Sequence, residues 1–403
     1  MTSSAPVTGP TSDLDLFADD VLTDPYPAYA TLRELGPAVW LPNVGEGVWA
    51  VPRYDEARTV LGDSDTFTAV DGIALTEFAN QQILRGTVLA SDGPAHVRLR
   101  RPLSRQLSPR ALRDLADGVR ARAVTAVDEQ VRRSRFDAAD LARDFVADVV
   151  MELMGLPPET REELIHGAAA TFDVFGPDNA RHRSAAPVAA AVIAFLHEKV
   201  SRDTVTPGSW MAAVYAAIDA GQLTEDDGVP LMSAYTAAGM DTTIYAISRA
   251  VHLLATHPDQ WEHLRTGRAR PEGAFHEAIR LYAPVQGFGR RATRTTDLGG
   301  VRVRQGEQLW VLYGSSGRDR RKWGPDADAF RVSRPDAADQ LALGTGPHSC
   351  AGNHLAALQA TAVIEALVSR CTRIEADGEP VPALNNVLQG LASVPVRVTR
   401  DRA

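Results

Sequence analysis

Residues 231–255 form a largely apolar stretch, long enough to cross a bilayer. Asp241, Arg249, His252 and several hydroxyl residues interrupt it, so it reads as a buried central helix and not as a membrane span. Such a helix needs protein around it on every side, which commits the chain to a large, mainly helical body. Helical patterns supply that cover over residues 26–35, 54–61, 96–129 with a break near Ser108-Pro109, 138–154, 158–172, 187–200, 258 onward and 271–282. Strand patterns are few: 38–41 and 48–51 as a hairpin, 298–303 and 308–312 about a turn at Gly306, and 394–398. No linker interrupts the chain after Tyr26. The expectation is one domain over residues 23–403, mainly α with small β-sheets, after a disordered polar tail over residues 1–22. That tail has neither the basic start nor the apolar core of a signal peptide. Residues 64–93 have no clear period, and so long an irregular segment inside a domain is usually functional.

Charge and cysteine content narrow the function. A net charge of -9 argues against nucleic acid or an anionic membrane as partner. Cys350 and Cys371 are the only cysteines, too few for a disulfide framework or a zinc motif, which fits a reducing cytoplasm. Cys350 lies in Gly344-Thr345-Gly346-Pro347-His348-Ser349-Cys350-Ala351-Gly352, a tight loop ahead of a helix whose apolar face is Leu355, Leu358, Ala362 and Ala366. Just before a helix N-terminus, backbone amides and the macrodipole favour a thiolate, which is a metal ligand or a nucleophile.

Three further constellations accompany that loop. Within the central run, Ala238-Gly239-Met240-Asp241-Thr242-Thr243 combines a helix-weakening glycine with hydroxyls that bond back to carbonyls, inviting a local opening of the helix. Asp241 and Thr242 there are an acid and a hydroxyl able to pass protons into a dry site. Glu277 and Arg280 share a helix face at i, i+3. His96 and Arg100, at i, i+4, aim two donors one way, suiting a pair of carboxylates or phosphates, and His348 adds another.

In this order, the four segments resemble the cytochrome P-450 family of haem-thiolate monooxygenases, in its soluble bacterial form. The cysteine loop is the most specific part. It resembles the haem-binding signature with Gly344, Gly346, His348, Cys350 and Gly352 in register, which implies Cys350 as axial thiolate of haem (heme b). The resemblance further implies proton delivery by Asp241 and Thr242, and a structural triad of Glu277, Arg280 and Arg334. It implies haem propionate contacts from His96, Arg100, Arg290 and His348, with the haem between the central helix and the helix after the cysteine loop. Substrate contacts implied are Phe175, Ala238, Val285 and Phe288, with residues 64–93 and 389–392 lining the rest of the pocket.

The match has departures: Leu343 for an aromatic residue before Gly344, Ala351 for leucine, Ala357 for arginine, and Gly93 for a proline ahead of His96. None removes a ligand.

The implied reaction is insertion of one oxygen atom from O2 into a small, largely apolar substrate, by hydroxylation or O-dealkylation. Residues 385–391 look loosely like members acting on substituted benzoates and methoxyarenes. No glycine motif for flavin or nicotinamide is present, so electrons are expected from outside, from a ferredoxin and its ferredoxin reductase. The basic stretch Arg98, Arg101, Arg105, Arg110 and Arg113 suits an acidic partner. A peroxygenase and a catalytically silent haem-binding protein of the same fold are the alternatives. Activity with peroxide alone would favour the first, and failure to consume reduced nicotinamide with any substrate would favour the second.

Overall fold

In the computed structural model, which describes residues 9–156 and 160–401, the chain starts with α1 (Asp19–Thr23) and α2 (Tyr26–Leu35). The hairpin β1 (Val39–Leu41)–β2 (Val48–Val51), α3 (Tyr54–Gly62) and β3 (Phe67–Thr68) follow. A single π-helical stretch over Ala79–Leu84 interrupts the irregular segment before α4 (Gly93–Gln106) and α5 (Pro109–Arg133). Then come β4 (Arg135–Asp137), α6 (Ala138–Met154), α7 (Arg161–Phe175), α8 (Ala180–Lys199), α9 (Trp210–Asp219), α10 (Glu225–Gly239), α11 (Asp241–Thr256), α12 (Pro258–Arg265) and α13 (Pro271–Leu281). The C-terminal part holds β5 (Gly287–Ala292), β6 (Thr296–Leu298), β7 (Val301–Val303), β8 (Gln308–Leu312), α14 (Tyr313–Ser316), α15 (Arg320–Trp323), α16 (Asn353–Arg370), β9 (Cys371–Ala376), β10 (Val381–Leu384), β11 (Gln389–Ser393) and β12 (Pro395–Arg400).

Helices dominate, as expected, and the strands form small sheets. One has the order β1-β2-β8-β5-β3, another β4-β12-β9, and β6-β7 and β10-β11 are hairpins. The core sits about α11, whose Ile247, Ala250, Val251 and Leu254 are completely buried among α6, α13 and α16.

Several expectations need correction. The tail was expected disordered through residue 22, and residues 1–8 lie outside the described residues. Residues 9–22, however, are packed: Trp40 donates its amide to the Pro10 carbonyl and Ser12 its amide to Trp40. Leu16 and Phe17 are buried, Phe17 against Trp310. Leu14 and Val21 pack, partly buried, against the same cluster, so the apolar residues of the stretch hold it in place.

The central helix is also divided, into α10 and α11 at Met240. It begins earlier than its apolar run because Thr224 and Asp227 form a capping box. The helix expected from Pro158 has its first residues outside those described, and it continues to Phe175. That expected from Pro187 starts at Ala180, where Asn179 caps it by accepting the His182 amide at 3.0 Å. The patch at 298–303 is the turn and second strand of the β6–β7 hairpin, folded at Gly299 and Gly300. Sequence periodicity missed β3, β4, β5, β9, β10 and β11, short strands without a clean alternation.

Candidate active site

The cysteine loop is shaped by its first two glycines. Gly344 and Gly346 have φ of 65° and 70°, and a Cβ on Gly346 would meet the Leu61 carbonyl oxygen at 2.8 Å. Gly352, at φ −85°, has room for a side chain, with Cys350 Sγ at 3.9 Å from an added Cβ. The Cys350 amide donates to the Leu343 carbonyl at 2.7 Å, closing the loop just before α16. Backbone amides of Gly352 and Asn353 and the charge of Arg100 all favour the Cys350 thiolate. Burial outweighs them and pushes the thiol up, opposite to the sequence expectation. A bound cation is then what would hold the sulfur deprotonated. Cys350 nonetheless retains accessible surface. A thiol desolvated by surrounding protein that still keeps accessible surface fits a hollow inside the fold.

The central helix presents a matching face. Ala238 is exposed in a helix otherwise covered after its first two residues, and Thr242 and Tyr245, one and two turns on, are half-buried. At the break, the amides of Thr243 and Ile244 both reach the Met240 carbonyl at 3.0 Å, and the Thr242 hydroxyl donates to the Ala238 carbonyl at 2.8 Å. The expected opening is therefore present. Asp241 begins α11 with its carboxyl buried and its Oδ2 without a hydrogen-bond partner. Burial pushes its pKa up to about 7, against the weaker opposing pull of Arg143 and His166.

Three of the four expected donors, His96, Arg100 and His348, meet at the loop, and the fourth, Arg290, lies on β5. Arg100 donates to the Ser349 carbonyl at 2.5 Å. Arg290 is buried, donates to the Gly289 carbonyl at 2.8 Å and makes no ion pair among the described residues. The His96 and His348 rings are 4.4 Å apart, and His96 Nε2 is buried with no partner. Burial, then the charges of His348 and Arg100, lower the His96 pKa to about 4. Cations and an orphaned nitrogen gathered beside a thiol fit a group carrying carboxylates and a metal ion.

Sequence reasoning overlooked Asp92, which receives the Thr68 hydroxyl at 2.6 Å and the Ala69 amide at 2.9 Å, and lies 2.8 Å from His348 Nε2. Burial opposes its charge, but these bonds win and hold its pKa at about 2. Gly93, the substituted proline, has φ 55°, an angle proline cannot adopt.

Away from the hollow, Glu277 has no exposed side-chain surface and receives Arg280 at 2.7 and 2.8 Å, Arg334 Nε at 2.9 Å and the Arg331 amide at 3.1 Å. The triad residues are thus together. Phe288 lies 6.3 Å from Phe175 and 6.4 Å, stacked, from Phe172, which itself meets Phe175 edge-on at 5.8 Å. Val285 is half-buried and bridges to Leu388. The irregular segment is strapped to this region, since the Leu75 amide donates to Phe175 and the Gly289 amide to Ile73. Tyr245 lies flat on Gly390, where an added Cβ would come within 2.2 Å of its ring.

A family model for cytochrome P450 matches residues 272–398. Over 390 residues the chain is 37% identical to cytochrome P450 CYP199A2 of Rhodopseudomonas palustris, spanning 96% of this chain and 94% of that one. The chain belongs to the cytochrome P450 family. It is also 30% identical to the cytochrome P450 monooxygenase PikC of Streptomyces venezuelae, over 98% of this chain and 95% of PikC. Among solved structures, P450BioI, in complex with an acyl carrier protein ligated to hexadec-9Z-enoic acid, superposes with a TM-score of 0.84 at 25% identity. That match covers 94% of this chain and all of P450BioI. The protein is a P450 monooxygenase, an oxidoreductase of a family that uses haem with cysteine thiolate ligation. Among the described residues no helix is long and apolar enough to cross a membrane.

Proposed function

We propose that Cys350 would supply the thiolate to the iron of a haem b held between α11 and α16, and that the enzyme inserts one oxygen atom from O2 into a small, largely apolar, aromatic substrate. The observation that carries this reading is the thiol beneath the N-terminal amides of α16, accompanied by His96, Arg100 and His348. These three and the buried Arg290 suit the haem carboxylates, and Glu277, Arg280 and Arg334 form a separate buried brace. When bound, the haem supplies the binding and reductive activation of O2.

The chain's own contribution is water exclusion, orientation and protons. Asp241, held near neutrality in its pKa, can release and regain a proton close to physiological pH, and the Thr242 hydroxyl stands next to it at the helix break. The rings of Phe172, Phe175 and Phe288 suit a flat substrate, with Ala238 and Val285 completing an apolar wall. Oxidation there is hydroxylation, or O-dealkylation where the attacked carbon bears an ether oxygen, as in a methoxyarene.

Electrons come from a ferredoxin and its reductase in the cytoplasm. In support, Arg101, Arg105, Arg110 and Arg113 are exposed and form no ion pair among the described residues, whereas Arg98 is engaged by Asp227. The deciding experiment is the carbonyl difference spectrum of the reduced protein and of Cys350→Ser. A red-shifted thiolate band present in the first and lost in the second is expected. Its absence from well-folded parent protein would overturn the assignment. Titration with substituted arenes should then shift the spin state in the parent and at least tenfold more weakly in Phe288→Ala.

A further inference from the structure

Asp92 occupies the N-cap position of α4, where an aspartate ordinarily accepts an amide of its own helix. Its side chain makes no such bond. Instead Oδ2 accepts from the Thr68 hydroxyl and the Ala69 amide at the end of β3, and Oδ1 lies 2.8 Å from His348 Nε2 in the cysteine loop. One carboxylate therefore ties together β3, the start of α4 and the loop that carries Cys350. The His348 side chain is 5% exposed, so its ring has little freedom beyond what this contact sets. With Nε2 engaged by Asp92, Nδ1 is the nitrogen left for any other acceptor. His96, one turn into the same helix, lies against the His348 ring at 4.4 Å with its Nε2 unpartnered.

We infer that Asp92 is a positioning residue for the haem, which fixes the His348 ring so that His348 and His96 grip one edge of the group as a pair. The inference rests on the haem reading above. Asp92 itself touches neither iron nor substrate; it acts through His348, as outer partners of ligating histidines do elsewhere, where their loss costs about 10–100-fold in affinity.

The test is the rate of haem transfer from the ferric holoenzyme to excess apomyoglobin, for the parent, Asp92→Ala, Asp92→Asn, His348→Ala and the double variant Asp92→Ala/His348→Ala. Asp92→Ala should release haem about tenfold faster than the parent, with Asp92→Asn between the two, because an amide keeps the Thr68 and Ala69 bonds while losing the charge. In the His348→Ala background, adding Asp92→Ala should change the rate little, since the route through His348 is already gone. An equal acceleration in both backgrounds would overturn the inference, because Asp92 would then act through β3 alone. Unchanged release from Asp92→Asn and Asp92→Ala would overturn it too. Should Asp92→Ala fail to fold, Asp92→Asn against His348→Ala/Asp92→Asn gives the same comparison. The parent's carbonyl spectrum separates the two levels: a parent without thiolate-ligated haem removes both readings, whereas a normal parent with unaffected variants removes only this one.

Discussion

Glu277 and Asp241 are both buried carboxylates on helices of the core, and their surroundings could hardly differ more. Glu277 is saturated, with both oxygens engaged by Arg280 and one also by Arg334 and the Arg331 amide. Arg280 in turn spends its remaining donors on the carbonyls of Gly317, Ala327 and Ala329. Asp241 begins a helix at a break in the core with Oδ2 unpartnered. A closed polar network fixes geometry, while an under-satisfied acid keeps its proton near neutral pH and can move it. The same residue chemistry thus becomes brace or relay according to how many partners the fold provides.

The comparison breaks most violently at the brace. Glu277→Gln leaves the Arg280 guanidinium buried without a counter-charge and should cost roughly 3–5 kcal/mol, seen as a lower urea midpoint and poor haem incorporation. Unchanged stability would mean that carbonyls alone hold Arg280.

Asp241→Asn should act in the opposite direction on stability. The native acid, with its pKa raised to about 7, keeps a proton that the unfolded chain has lost above about pH 4. Parent stability therefore falls as pH rises from about 4 to 7 and levels off beyond, and the variant lacks this slope. The difference should vanish below pH 4 and favour the variant at pH 8, by no more than about 4 kcal/mol. Product formation should meanwhile fall about a hundredfold. Melting curves across pH, paired with turnover, check both halves; a variant destabilised at pH 8 would place Asp241 with Glu277 among structural acids.

Thr242→Ala sharpens the contrast at the smallest scale. It removes one hydroxyl bond to the Ala238 carbonyl, so the melting temperature should move by the equivalent of about 1 kcal/mol or less. Electrons consumed per product formed should rise. If they do not, the hydroxyl serves only the helix break.

Much of this was legible in the sequence because it is local. The loop around Cys350, the i, i+3 pair Glu277–Arg280 and the glycine that weakens the helix before Asp241 are spacings on one element, and the fold preserves them. What escaped was tertiary. Asp92 falls in the stretch whose sequence has no clear period, and only the packing of β3 and the cysteine loop against it sets the partners of its oxygens. The net rise of the Cys350 pKa depends likewise on burial from distant segments, which outweighs the helix amides that spacing reveals. Residues 9–22 look unstructured by composition, yet the pocket that receives Phe17 is built by Trp310 on β8. Strand β5, with its glycines and arginines, has no readable alternation, although it carries Phe288 and Arg290.

The contact between Gly390 and Tyr245 sets a stop against the central helix. Because the tyrosine ring rests directly on backbone, even a single methyl at 390 has to displace either the ring or the β10–β11 hairpin. A side chain at 390 would therefore be felt on α11 as a moved ring, two turns along from Ala238.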